Sequence, residues 1–143
     1  MLVSHILQEK GRSVVNIAGN ATLHEAACLL LRHRIGAVVI LDGSQAPEGI
    51  LSERDIVRTL AQHGAAAMSR EVSGSMTAAV ATCEETDSIE EIMERMTRGR
   101  FRHMPVVKHG RMIGIVSIGD VVKTRIEETV REAEALKEYI ATG

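Results

Sequence analysis

Gly49-Ile50-Leu51-Ser52-Glu53-Arg54-Asp55-Ile56-Val57-Arg58 is met again as Gly114-Ile115-Val116-Ser117-Ile118-Gly119-Asp120-Val121-Val122-Lys123. Glycine, serine and aspartate all keep one offset of 65 residues, from 49 to 114, 52 to 117 and 55 to 120. Further upstream, Ala21-Thr22-Leu23-His24-Glu25 is echoed by Asp87-Ser88-Ile89-Glu90-Glu91 at an offset of 66. Val3-Ser4 and Ile6-Leu7 are echoed by Val72-Ser73 and Ser75-Met76 at an offset of 69. A fixed order of features with small slips at loops marks two copies of one supersecondary unit. Two copies of this length are too few and too long for a solenoid.

Each copy reads alike. Thr22 is an expected N-cap, and Leu23, Ala26, Ala27, Leu30 and Leu31 recur at helical spacing to about Arg34. Ala37–Leu41 is a short apolar strand, ended by the turn-forming Asp42-Gly43-Ser44-Gln45-Ala46-Pro47. Gly49-Ile50-Leu51 is a second strand, near enough to pair with the first as a hairpin. A helix follows from Ser52 to about His63, stopped by Gly64. In the second copy Ser88 caps a helix carrying Ile89, Ile92, Met93 and Met96. Strands Met104–Val107 and Met112–Val116 come next, with a turn at Lys108-His109-Gly110-Arg111. Val14–Ile17 and Val80–Thr82 supply a short leading strand to each copy. The expected fold is therefore mixed α/β of the α+β kind, a β-α-β-β-α unit used twice. Its expected divisions are 1–64 for the first repeat, 65–70 for a small, polar linker, 71–125 for the second repeat and 126–143 for a helical extension.

That last stretch differs from its counterpart. The helix starting at Ile118 continues to Ile140, about 34 Å at the α-helical rise. Ile126, Ala133 and Ile140 sit seven apart with Val130 and Leu136 beside them, while Lys123–Glu127 and Glu127–Arg131 have ion-pair spacing on another face. Such a stripe either folds back on its own domain or forms a subunit contact; the second is expected, because a monomer has little left to cover it.

The chain has 143 residues with 45% hydrophobic and 25% charged side chains, enough for a real core and inconsistent with extensive disorder. Phe101 and Tyr139 are its aromatics and tryptophan is missing, so the core must be aliphatic and methionine-filled. Seventeen lysines and arginines against 19 acids leave a net charge of −2, which argues against a nucleic-acid partner. No apolar run has the length of a membrane span. The first ten residues lack the basic and apolar regions of a signal peptide. Cys28 and Cys83 are isolated, and Cys28 falls among apolar neighbours where a buried reduced thiol is expected. A cytoplasmic location follows as the expectation.

Ser-x-x-Asp at a strand-to-helix junction is first a capping box, although aspartate reaches back less easily than glutamate. Each motif glycine sits in a strand interior, where it weakens the strand unless something approaches the backbone closely. The same helix start also offers free N–H groups and positive potential to a phosphate. A carboxylate one turn along can accept the hydroxyls of a ribose cis-diol. Hydroxyl, helix end and carboxylate together suit a ribonucleotide, and no Walker sequence is present to suggest a P-loop hydrolase.

With these motifs and with Arg100-Phe101-Arg102-His103-Met104-Pro105-Val106-Val107, the chain resembles a tandem pair of CBS domains, the cystathionine-β-synthase-type repeat also called a Bateman module. The resemblance spans residues 1–125. It implies a regulatory module, not an enzyme, that binds AMP, ATP, NAD(H) or S-adenosylmethionine between its repeats, forms homodimers and signals to an effector protein. It further implies that Asp55 and Asp120 hold ribose hydroxyls, that Ser52 and Ser117 hold phosphate, and that Arg54, Arg102 and His103 add charge around the phosphate. Arg100 joins that basic run, and Lys10 is a weaker candidate for the same role. Ile35, Gly36 and Ala37 would line an adenine pocket by shape. Arg102-His103 in copy two stands where copy one has Gly36-Ala37, and Gly119 stands where copy one has Arg54, so the two positions should not be equivalent. His5, His24, His33, His63 and His109 show no ligand spacing, and neither cysteine lies in a metal or redox motif, so no metal is expected. The competing reading is a purely structural homodimerisation module whose serines and aspartates only cap helices.

Overall fold

The computed structural model describes residues 1–142. Its elements run α1 (Val3–Lys10), β1 (Asn16–Ile17), α2 (Leu23–His33), β2 (Ala37–Leu41), β3 (Pro47–Ser52) and α3 (Glu53–His63) in the first half. Two 3-10 turns, Gly64–Ser69 and Val72–Gly74, lead to α4 (Ile89–Gly99), β4 (His103–Lys108), β5 (Arg111–Ser117) and α5 (Ile118–Thr142). In one sheet β2 lies between β1, its parallel neighbour, and β3, its antiparallel one; β4 and β5 form a separate antiparallel pair. No helix among the described residues is long and apolar enough to cross a membrane.

Local chemistry sets the helix starts. Thr22 Oγ1 accepts the Glu25 N–H at 3.1 Å while Glu25 Oε2 accepts the Thr22 N–H at 3.1 Å, a reciprocal cap on α2. Ser88 Oγ accepts the Glu91 N–H at 3.1 Å at the start of α4. Arg34 and Arg100 then close α2 and α4 in left-handed conformation, φ 54° and 55°, turning the chain into the following strand in the same way.

The two repeats have separate aliphatic cores. One gathers Leu23, Ala26, Leu30, Val38, Ile40 and Leu51; the other gathers Ile89, Ile92, Met96, Met104, Val106 and Val116. The connecting segments cross over. Val3, Ile6 and Leu7 of α1 are buried in the core of the second repeat, whereas Val72, Met68 and Met76 pack into that of the first. This crossing explains the motif glycines. A Cβ on Gly114 would come within 2.6 Å of Leu7 Cδ2, and one on Gly49 would collide with the thioether of Met76. The close approach that each strand accommodates is thus a side chain from the crossing segment.

Several expectations need correction. Val80–Thr82 forms no strand. Arg95 Nη2 takes the Thr82 carbonyl at 2.9 Å, and the parallel pairing shrinks to a single bridge between Cys83 and Val106. The segment expected as a small, polar linker is a docked 3-10 turn with Ala67 fully buried, and the Arg70 carbonyl accepts the Leu23 N–H at 2.9 Å. Cys28 is exposed, since it falls on the outer face of α2; Cys83 is the buried thiol, and burial pushes its pKa up to about 12. The Lys123–Glu127 and Glu127–Arg131 pairs do not form among the described residues, because Glu127 turns toward α1. Beyond Glu128 every described residue of α5 is exposed, so the helix does not fold back on its own domain.

Candidate functional site

Strand register puts the two Ser/Asp pairs at matching places. Ser52 ends β3 opposite Ala37, and Ser117 ends β5 opposite His103. The next residue repeats the match: Glu53 N–H donates to the Gly36 carbonyl at 3.0 Å, and Ile118 N–H to the Arg102 carbonyl at 2.8 Å. Gly36-Ala37 and Arg102-His103 are therefore structural equivalents, and the two positions carry different chemistry.

Both aspartates do reach back. Asp55 Oδ2 accepts from Ser52 N at 2.9 Å and from Ser52 Oγ at 3.1 Å, and Asp120 Oδ2 accepts from Ser117 N at 2.9 Å. Each serine hydroxyl in turn accepts the N–H of its aspartate, at 3.4 Å and 3.2 Å. The capping role is real in both copies. A carboxylate offers about four acceptor positions. On Asp55 three are taken, because Oδ1 also meets Arg58 Nη1 at 2.9 Å. One position remains open, and a second is held by the exposed Arg58 side chain. The Ser52 hydroxyl likewise lies 3.1 Å from Asp55 Oδ2.

Between the repeats opens a cleft of about 540 Å³. Ser52, Glu53, Arg54 and Asp55 enter it from the start of α3 and Gly36 from the turn before β2. Arg100, Phe101, Arg102 and His103 face them from the second repeat, and Thr77, Val80 and Ala81 form a wall alongside. Thr77 is held there by two backbone bonds to Ile50, at 3.0 and 2.9 Å. A Cβ on Gly36 would stand 3.7 Å from Glu53 Oε1 and 4.0 Å from His103 Cε1, so this glycine is where the repeats come together. The missing side chain at Gly99 lets the Phe101 ring fold back over its own chain. Burial lowers the His103 pKa, with Lys10 and Arg102 acting in the same direction and Asp120 and Glu53 opposing. The ring is thereby held neutral at pH values where a free imidazole is partly charged.

The second position is built otherwise. Lys10 Nζ reaches across from α1 to Asp120 Oδ2 at 2.8 Å and to the Ile115 carbonyl at 3.1 Å. Burial pushes the Asp120 carboxyl up, but hydrogen bonds from Lys10 and from the Ser117 backbone outweigh it and hold the group below the ordinary carboxylate value. Lys10 already stands where an incoming ligand would meet this carboxylate.

The arrangement of repeats is matched by known proteins. The family model described as "CBS domain" matches residues 4–62 and again 70–127. The chain belongs to the CBS-domain family. A relative, the CBS domain-containing protein CBSX3, mitochondrial, of Arabidopsis thaliana, is 33% identical over 99% of this chain and 72% of its own length. The crystal structure of the CBS-domain-containing protein ATU1752 from Agrobacterium tumefaciens is 46% identical with a TM-score of 0.84, covering 87% of this chain and 99% of that one. The CBS domain protein PAE2072 from Pyrobaculum aerophilum, solved in complex with AMP, is 30% identical with a TM-score of 0.75, covering 84% of this chain and 89% of that one.

Of the residues singled out in sequence, Ser52, Arg54, Asp55, Gly36, Arg102 and His103 line the cleft. Ile35 packs on the first core and Ala37 is buried in β2, so neither lines it. Ser117 and Asp120 lie outside its walls, at the position that Lys10 covers. Thr77, Val80 and Ala81 carried too weak a signal: they are single small or apolar residues on irregular backbone. Phe101 alone was findable, as one of two aromatics in the chain and neighbour to Arg102.

Proposed function

We propose that this CBS pair binds one adenosine nucleotide of the AMP type in the cleft between its repeats. The observation that carries the reading is the mix of chemistry lining this one cleft. Ile50, Val80, Ala81 and Phe101 offer apolar surface suited to a base, Arg54, Arg100, Arg102 and His103 offer groups suited to a phosphate, and Asp55 and Thr77 offer polar groups suited to a ribose. The volume falls in the range of small-molecule sites, about 300–1,000 Å³. The AMP complex of the Pyrobaculum aerophilum protein supports the same class of ligand. Three arginines favour a phosphate-bearing ligand over S-adenosylmethionine, which has none.

A bound nucleotide shifts a conformational equilibrium only as far as its affinity differs between the two shapes. The module acts on this reading as a regulator, joining both repeats around the ligand and passing the change to an effector protein. Two copies associate through the exposed apolar residues of α5. Calorimetry with AMP, ATP, NADH and S-adenosylmethionine tests the reading: AMP and ATP bind and S-adenosylmethionine binds least. If none binds below millimolar, the reading fails.

The engagement of both Ser/Asp pairs as helix caps favours the structural reading as a second possibility. A heat-shift measurement separates the two, because a ligand at 100 times its Kd raises stability by about 2.7 kcal/mol.

A further inference from the structure

We propose that His5, Glu9 and Glu127 form a binding site for a divalent transition-metal ion of the zinc type, tying α1 to α5. The site stands apart from the nucleotide cleft. His5 and Glu9 lie one turn apart on α1, and Glu127 faces them from α5. One ligand atom from each lies within 4.8 Å of the others.

Three observations carry the proposal. His5 Nε2 and Glu127 Oε2 are both buried atoms without a hydrogen-bond partner. A buried polar atom left unpaired is costly, and two facing one small space call for a shared partner. Glu9 Oε1 approaches His5 Nε2 to 3.3 Å but is not aligned to bond with it. Next, Glu127 forms no ion pair among the described residues, although Lys123 and Arg131 stand one turn away on either side. It turns instead toward another carboxylate. Finally, the nearby Arg125 is already committed to Glu90 and Glu128, at 3.0 Å each, so among the described residues no lysine or arginine pairs with either glutamate, and His5 is the one basic group beside them.

One imidazole and two carboxylates suit a borderline divalent ion; calcium and magnesium prefer oxygen throughout. Around zinc such atoms sit about 3.4 Å apart, given bonds of about 2.0–2.2 Å. Two glutamates with three rotatable bonds each can draw the present spacing in. Three protein ligands leave a coordination position for water. The ion would also fix the helix that carries Lys10 to its partner Asp120.

The full chain, stripped with chelator, is titrated with Zn²⁺ by calorimetry and with Co²⁺ by visible absorption. One equivalent is expected to bind, with a d–d spectrum for Co²⁺. His5→Asn, Glu127→Gln and the exposed Glu9→Gln should each weaken binding at least tenfold, and Glu9→Gln lies on the surface where folding is not at stake. His24→Asn is the control, since His24 Nε2 lies 3.7 Å from Cys28 Sγ on an exposed face and is the rival site. Absence of stoichiometric uptake overturns the proposal. So does binding that survives Glu9→Gln and Glu127→Gln but is lost in His24→Asn.

Discussion

Lys10 Nζ lies 2.8 Å from Asp120 Oδ2, so a cation from the first helix of the chain occupies the carboxylate of the second repeat. Its counterpart Asp55 meets a cation from its own helix, Arg58. The duplicated motif therefore serves one open cleft and one self-paired position. Lys10, a weaker candidate for a phosphate contact in the sequence, meets Asp120 because α1 crosses onto the second repeat.

The pairing has a pH signature. The folded Asp120 carboxyl lies below its ordinary 3.8, so its contribution is complete above 3.8 and is lost as pH falls through the lower folded value. Lys10→Ala removes much of that dependence. Urea midpoints measured across the acid limb should fall less steeply with pH in Lys10→Ala than in the parent chain.

His103 gives the opposite kind of linkage when a ligand arrives. Burial first, then Lys10, lowers its pKa below the ordinary imidazole value, which favours the neutral ring in the free protein. A phosphate beside it favours the charged form, so AMP binding takes up a proton. Calorimetry at pH 6.5 in two buffers of different ionisation enthalpy should show uptake by the parent chain and much less by His103→Ala.

The motif glycines answer to different neighbours. Leu7 is almost fully buried and cannot retreat, so Gly114→Ala should cost about 1–3 kcal/mol by overpacking. Met76 is half-buried and flexible, so Gly49→Ala should cost distinctly less. Chemical denaturation of both variants checks the order.

The tail of α5 carries Leu136, Tyr139 and Ile140 into solvent, the last two at 75% and 68% exposure. Light scattering should report a dimer for the parent chain and a monomer for Leu136→Glu/Ile140→Glu. A parent chain that is monomeric at high concentration removes the proposed contact.

The repeat, the capped helices and the hairpins were legible because Gly-x-x-Ser-x-x-Asp and the apolar spacings are local and occur twice. Thr22, Ser88 and Gly64 ended or began helices where their chemistry predicts. The crossing of α1 and of Val72–Met76 between cores was half visible: the echo of Leu7 in Met76 was there, but a sequence does not say which repeat such a segment packs on. The Arg95 bond to the Thr82 carbonyl, made where a strand was expected at Val80–Thr82, depends on contacts between separate elements. Glu127 escaped for the same reason. Its helical neighbours Lys123 and Arg131 suggested ion pairs, whereas α1 offered another face.

The cleft beside Ser52 and Asp55 is proposed to take a phosphate-bearing adenosine ligand. Titrating AMP into the parent chain and into Arg102→Ala tests it most directly, because Arg102 is exposed and its loss leaves the cores intact. One AMP per chain, bound at least tenfold more weakly by Arg102→Ala, is the expected result. No heat of binding up to millimolar AMP, or equal affinity in the two proteins, would contradict it.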